Sequence, residues 1–345
     1  MQDLSNGNTR ITWIDAAKLT GIFLVLLGHV TCTSYFLKVF IYTFHMPLFF
    51  FLSGLVEKKH SLRETIIHSA KKLLIPYVLL YLCVWAFILL FLRNLLGEPG
   101  IQGKIIKPLA GLFIGLGYDT PYSIMVAPPL WFLPALFWCK VINSIVNKFS
   151  ENLWIKTLFA VIFFAFSIVI KKTGFHPYFS IGAAFMAFPF FFMGITCQKI
   201  REKAETILYS LPVRPLAPML FAIIWIIAKF NGEIDINSMG FGKNPLLLLI
   251  GGVAGIILVC HFSTSIKKLP AFLNFYAQNT LIIMGFHQVI GIKISQLLYK
   301  TGLLQLNDGK FSIRAALIIS IIELFACGLP AIFVKLFNDY ARHSK

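Results

Sequence analysis

The sequence predicts an all-α polytopic membrane protein, a bundle of about ten transmembrane helices around a polar cavity, and three observations lead there. Hydrophobic residues make up 58% of the 345 positions, 35 of them Phe, and charged residues only 13%, more apolar surface than a soluble core of this size can absorb. The apolar runs recur at about 17 to 22 residues, the length at which a helix rising about 1.5 Å per residue crosses about 30 Å of hydrocarbon. Ionisable side chains sit inside several of these runs, where each costs roughly 2.5 to 3.5 kcal/mol unless it faces a cavity or a partner. No stretch alternates with the period of two that a membrane β-barrel requires.

The runs follow in order. The first, about 12–32, has no short apolar core with a small-residue cleavage site and reads as an uncleaved helix rather than a signal peptide. It contains Asp15, Lys18 and His29; the second run, about 38–56 by the same length rule, contains His45, with a bend expected at Pro47 and with Ser53 and Gly54 at its far end beside the start of the first. Lys58, Lys59, Lys71 and Lys72 precede the third, about 73–93. The connection from Asn94 to Pro128 is the longest, rich in Gly and Pro, and its LAGLFIGLGY has room for a short re-entrant or interfacial piece. Runs at about 129–147, 155–170, 181–199, 214–230 and 244–262 follow, then about 278–299 with His287 and about 313–336 with Glu323. No stretch is large enough for a separate soluble domain, so residues 1–345 read as one membrane domain.

Counting Lys and Arg in alternate connections sets the orientation. With the N-terminus inside, the inner segments hold 17 and the outer ones 11, which places both termini in the cytoplasm of a multi-pass plasma-membrane protein. Much of the net charge of +17 is then a product of topology, with the lipid bilayer's anionic headgroups as its ordinary partner. Nucleic acid is not expected as a partner, because there is no basic soluble domain or aromatic platform. The six cysteines, Cys32 to Cys327, are isolated, so neither a metal site nor a disulfide framework is expected.

On a helix, Lys18 and His29 are 11 residues apart, about three turns, which puts them on one face about 16 Å apart along the axis. Asp15, three residues before Lys18, lies on the same side, and Gly21 and Gly28 permit a close neighbour. A polar stripe of this kind lines a cavity rather than facing lipid. His45 on the adjacent antiparallel run supports the cavity, His287 is a third candidate, and Glu323 is expected either to hold a histidine or backbone group or to act directly.

The stretches DAAKLTGIFLVLLGH, FHMPLFFFLSG, KKLLIPY, PLWFLPALF and NTLIIMGFH resemble, in order, the membrane-bound acyltransferase 3 family, and among its branches the stand-alone fucose 4-O-acetylase-like acetyltransferases. The resemblance runs from about residue 10 to residue 290, and its first two motifs are the specific ones. It implies about ten helices and transfer of an acyl group, usually acetyl from acetyl-CoA, to a hydroxyl of a sugar or glycan. The family's first-helix motif has an arginine, ten residues and a histidine; here the histidine is His29, and Lys18 stands at the arginine position. Lysine keeps the charge without the bidentate guanidinium fork.

The chemistry suits these residue types. A hydroxyl attacking a thioester needs a base, and imidazole titrates near neutrality; a histidine that carries the acyl group covalently is the alternative. His29, His45 and His287 are the candidate catalytic residues, and Asp15, Lys18, Lys71 and Lys72 the candidates for binding acyl-CoA at the inner face. Acetyl-CoA enters as a co-substrate, with no tightly bound cofactor. A glycan or lipid-linked sugar is the expected acceptor at the outer face, where Asp119, Tyr122, His176, Asp235 and Asn237 offer hydroxyl-binding groups. Trp131 has the ring to stack on a sugar or to anchor in the aromatic belt. A proton-coupled secondary transporter also places ionisable groups around an intramembrane cavity, and is the second reading.

Overall fold

The computed structural model describes residues 11–31, 34–92, 102–118, 126–199, 213–307 and 309–343. Asp119, Tyr122 and Cys32 lie outside them. Among the described residues, fifteen α-helices run in the order α1 (Thr12–His29), α2 (Tyr35–Tyr42), α3 (His45–Leu55), α4 (Leu62–Ser69), α5 (Ile75–Phe91), α6 (Lys107–Ile114), α7 (Phe132–Phe149), α8 (Leu153–Thr173), α9 (Ile181–Lys199), α10 (Val213–Asn231), α11 (Pro245–Thr264), α12 (Ala271–Gln278), α13 (Thr280–Lys300), α14 (Ile313–Ala326) and α15 (Gly328–His343). Among the described residues, eight helical stretches are long and apolar enough to cross a bilayer. With α1, whose Asp15, Lys18 and His29 lower its hydropathy, and α10, they correspond to the ten expected runs. The chain is an all-α, multi-pass membrane protein.

Glycines decide which helices touch. A Cβ on Gly54 of α3 would overlap the Phe191 carbonyl of α9, and one on Gly194 of α9 would overlap the Phe51 carbonyl of α3. Two helices that are this close pack backbone on backbone, the small-residue contact that holds membrane helices together where lipid is as apolar as Leu. Gly54 therefore faces α9. Gly21 and Gly28 behave as expected, with Phe49 and Tyr42 each 3.0 Å from the position of a Cβ.

The second run is broken one turn before its proline. Pro47 has no N–H for the carbonyl of Thr43, and its ring clashes with that carbonyl in a continuous helix, so the break falls at Thr43 and Phe44 instead of at the expected position 47. Thr43 turns its hydroxyl back to the Val39 carbonyl at 2.9 Å. Both residues plug into α11, where Gly251 faces Thr43 and Gly255 faces Phe44.

The long connection after α5 doubles back along it. Trp85, Tyr81 and Tyr77, one turn apart on α5, donate hydrogen bonds to the carbonyls of Lys104, Pro108 and Leu112 at 2.9, 2.5 and 2.7 Å. A two-turn antiparallel piece results, as the Gly- and Pro-rich stretch allows. It stops at Gly115, which adopts φ 65°, a left-handed conformation open to glycine at little cost.

Two short antiparallel pairs, Ile234–Asp235 with Gly240–Phe241 and Leu306–Asn307 with Lys310–Phe311, are the only strands among the described residues. The first sits in a loop braced from three sides. Asn231, fully buried, donates to the Phe241 carbonyl at 2.9 Å and accepts from the Asn244 N–H at 2.7 Å. Lys171 of α8 donates to the Ser238 carbonyl at 2.9 Å. Lys38 of α2 meets Glu233 at 2.7 Å, and Tyr35 donates to the same carboxylate at 2.8 Å. Burial opposes ionisation of Glu233, but those two hydrogen bonds prevail and hold its pKa below the usual carboxylate range.

Candidate active site

A cavity of about 210 Å³ opens beneath that braced loop, and His29, Tyr42, His45, Trp131, Asp235 and Asn237 are in its wall. His29 closes α1 and is exposed to it. His45, the first residue of α3, is buried. Its Nδ1 lies 3.0 Å from the Ile41 carbonyl, and a carbonyl only accepts, so Nδ1 carries the proton and the neutral ring keeps its lone pair on Nε2. The ring thus occupies the carbonyl that its own backbone N–H takes in an unbroken helix.

His287, fully buried on α13, is fixed the same way, with Nδ1 2.9 Å from the Met284 carbonyl and an Nε2 that has no partner. Its ring centroid is 5.0 Å from that of His29, and the Tyr42 ring is 6.1 Å from His29 and 4.7 Å from His45. The three candidate histidines, from α1, α3 and α13, therefore form a chain of ring contacts, with His29 between His287 and Tyr42 and with Tyr42 between His29 and His45. Gln288 completes the group, its side-chain amide 3.2 Å from His29 Nδ1. An amide offers either an N–H or an oxygen to the same spot, so Gln288 serves both tautomers of His29.

The acceptor candidates converge on the same cavity. Asp235 Oδ1 accepts the Asn237 N–H at 3.1 Å, and burial raises the Asp235 pKa. Asn237 Oδ1 is buried without a hydrogen-bond partner. Trp131, only 6% exposed, packs against Phe50 with ring centroids 6.2 Å apart, so it forms wall and leaves little face on which a sugar could stack. His176 is exposed outside the cavity, its Nδ1 3.0 Å from the hydroxyl of Tyr118, which does line it.

The remaining candidates stand elsewhere. Lys18 Nζ is 3.4 Å from the buried Asp15, and neither lines the cavity. Lys71 and Lys72 are exposed on a π-helical turn, Ala70–Leu74, between α4 and α5. Glu323 is buried on α14, where a Cβ on Gly291 would lie 2.8 Å from its carboxylate. Gly291 is one turn beyond His287 on α13, so Glu323 abuts the helix that carries the histidine rather than the cavity.

Sequence reasoning passed over Gln288, Tyr42, and the Lys38–Glu233–Tyr35 cluster. A polar residue directly after His287 in an apolar run was a usable sign of the first. Nothing local links Lys38 to Glu233 across 195 residues.

A family model described as an acyltransferase domain matches residues 11–335. No curated protein and no solved structure matches the chain.

Proposed function

The chain belongs to the membrane acyltransferase 3 family, and we propose that it moves an acetyl group from acetyl-CoA, held at the face where α1 begins, to a sugar hydroxyl of a glycan taken up at the face where α1 ends. The observation that carries this reading is the single cavity in which His29 and His45 meet Asp235 and Asn237. His29 is the base in this scheme. In the tautomer that donates Nδ1–H to the Gln288 oxygen, its Nε2 takes the hydroxyl proton as the sugar oxygen bonds to the thioester carbonyl. The tetrahedral intermediate then collapses, the C–S bond breaks, and the CoA thiolate leaves with the proton. The break before α3 turns the positive end of that helix toward the cavity beside His45, which favours the negative charge developing on the carbonyl oxygen.

The donor's phosphates need cations at the inner mouth, and Lys18 is the proposed contact, about 16 Å below His29 by helical rise, comparable to the reach of a pantetheine arm. Lys18→Met is expected to weaken acetyl-CoA binding about ten- to a hundredfold, the worth of a hydrogen bond to a charged group. Lys18→Arg keeps or improves binding, because the fork suits phosphate. Calorimetry in detergent on the three proteins checks this, and equal affinities would leave Lys18 only as Asp15's partner.

Sealed vesicles of known orientation test the scheme. With labelled acetyl-CoA only on the side of the N-terminus, and an impermeant acceptor glycan only on the other, labelled product is expected. Product that forms only when both share the N-terminal side overturns the two-sided scheme and leaves the acyltransferase standing.

A further inference from the structure

We infer that the cavity selects an electrically neutral acceptor, a hydroxyl-rich sugar that carries no carboxylate, sulfate or phosphate on the residue being modified. The inference rests on the glycan reading above and specifies its substrate class.

Among the polar groups that the loop presents, the two carboxyl groups and one unmatched amide oxygen are acceptors of hydrogen bonds. Asn237 Oδ1 is unpartnered although the residue is only 9% exposed, and Asn237 is in the cavity wall with Asp235 and Glu233. A buried acceptor of this kind is matched by a hydroxyl, which donates, and not by a carboxylate, which only accepts.

Charge points the same way. Lys38 is the one lysine or arginine among the described lining residues, and it is already committed: Nζ is 2.7 Å from Glu233 Oε1 and 5.2 Å above the Tyr42 ring. With that pair neutral overall, Asp235 sets the sign, and a second anion beside it is repelled. Lys310 borders an adjoining outer recess that shares His29, Lys38 and Tyr42 with the cavity, but it is exposed on the short strand Lys310–Phe311, where solvent and salt screen it.

The loop cannot readily turn these groups away. Asn231, Lys171 and the Lys38–Glu233 pair brace it, and Met239, at φ 57°, packs where a Cβ on Gly182 would stand. Selection is therefore set by groups fixed before the acceptor arrives, which spares the ordering cost of forming the site on binding.

The test uses the full chain in nanodiscs, labelled acetyl-CoA, and pairs of oligosaccharides that differ only in a hexose or the corresponding hexuronate at the acceptor position. The expected result is a kcat/KM at least about tenfold higher for the neutral member, one power of ten being a modest share of a close charge–charge interaction. Asp235→Asn is isosteric, keeps the oxygen that the Asn237 N–H uses, and is expected to bring the ratio toward one. Asn237→Leu is expected to raise KM for the neutral acceptor about tenfold while KM for acetyl-CoA holds. Equal or better transfer to the hexuronate in the parent protein overturns the inference, and so does an unchanged ratio in Asp235→Asn. Transfer to neither member of any pair, with acetyl-CoA still bound, overturns the glycan reading beneath it, a separate and distinguishable result.

Discussion

Replacing His29 with alanine is expected to lower acetyl transfer about 10²- to 10⁴-fold, the range a positioned general base contributes, and to leave folding intact. The residue ends α1 and is exposed to the cavity, so its removal opens no void in a close-packed interior. His45 and His287 are poorer tests. Each is buried and its Nδ1 engages a backbone carbonyl, of Ile41 or Met284, so deleting the ring removes that hydrogen bond and makes a cavity as well as removing a base. Labelled transfer measured beside size-exclusion behaviour and acetyl-CoA affinity separates chemistry from folding. Near-normal turnover in His29→Ala would remove His29 from the mechanism.

The second large effect concerns stability. Gly194→Leu is expected to abolish the folded protein, and Gly54→Leu to do the same. At both positions the obstacle is the facing helix's backbone carbonyl, of Phe51 or Phe191, which cannot rotate aside as a side chain does. Overpacking in a core costs about 1 to 3 kcal/mol when side chains can adjust, and here α3 and α9 must part along their whole contact, so the cost exceeds that range. Gly285→Ala on α13 is the control, because the nearest atoms to its new Cβ are side-chain carbons of Leu80 at 3.6 Å, an ordinary contact. Thermal unfolding in one detergent is expected to show Gly285→Ala unchanged or raised and no cooperative transition for the leucine variants; a normal transition in Gly194→Leu would show that the α3–α9 contact is looser than described.

The spans could be read from the sequence because length and hydropathy respond to the bilayer alone, and each expected run has a helix. The histidines could be read too, since an ionisable group in an apolar run is costly enough to stand out wherever it occurs. What escaped depends on pairs far apart in the chain. Tyr35, Lys38 and Glu233 meet only after α2 and the loop beyond α10 are brought together, and strands of two residues at Ile234 and Gly240 are too short for any periodicity. A proline in an apolar run marks a bend only at its own position, here Pro47, whereas its steric conflict lies with the carbonyl four residues earlier. Trp131 carried an ambiguous signal, and its burial against Phe50 depends on α3, which no local pattern reveals. Glycines at 54 and 194 looked like any others until a facing helix gave them a reason.

The interrupted second run also bears on how the protein meets membranes of differing thickness. A continuous helix longer or shorter than the local hydrocarbon layer tilts as one rod, and every side chain along it shifts against its neighbours. Here the chain crosses as two pieces of 8 and 11 residues, joined at Thr43 and Phe44, which are seated in the glycine face of α11. A change in hydrocarbon thickness is then expected to act on the two pieces separately, α3 moving together with α9, to which Gly54 and Gly194 lock it, while the joint stays seated in α11. Tyr42 and His45 lie immediately on either side of that joint, where displacement is smallest, so the contact between their rings is expected to vary little with the lipid chain length that surrounds the protein.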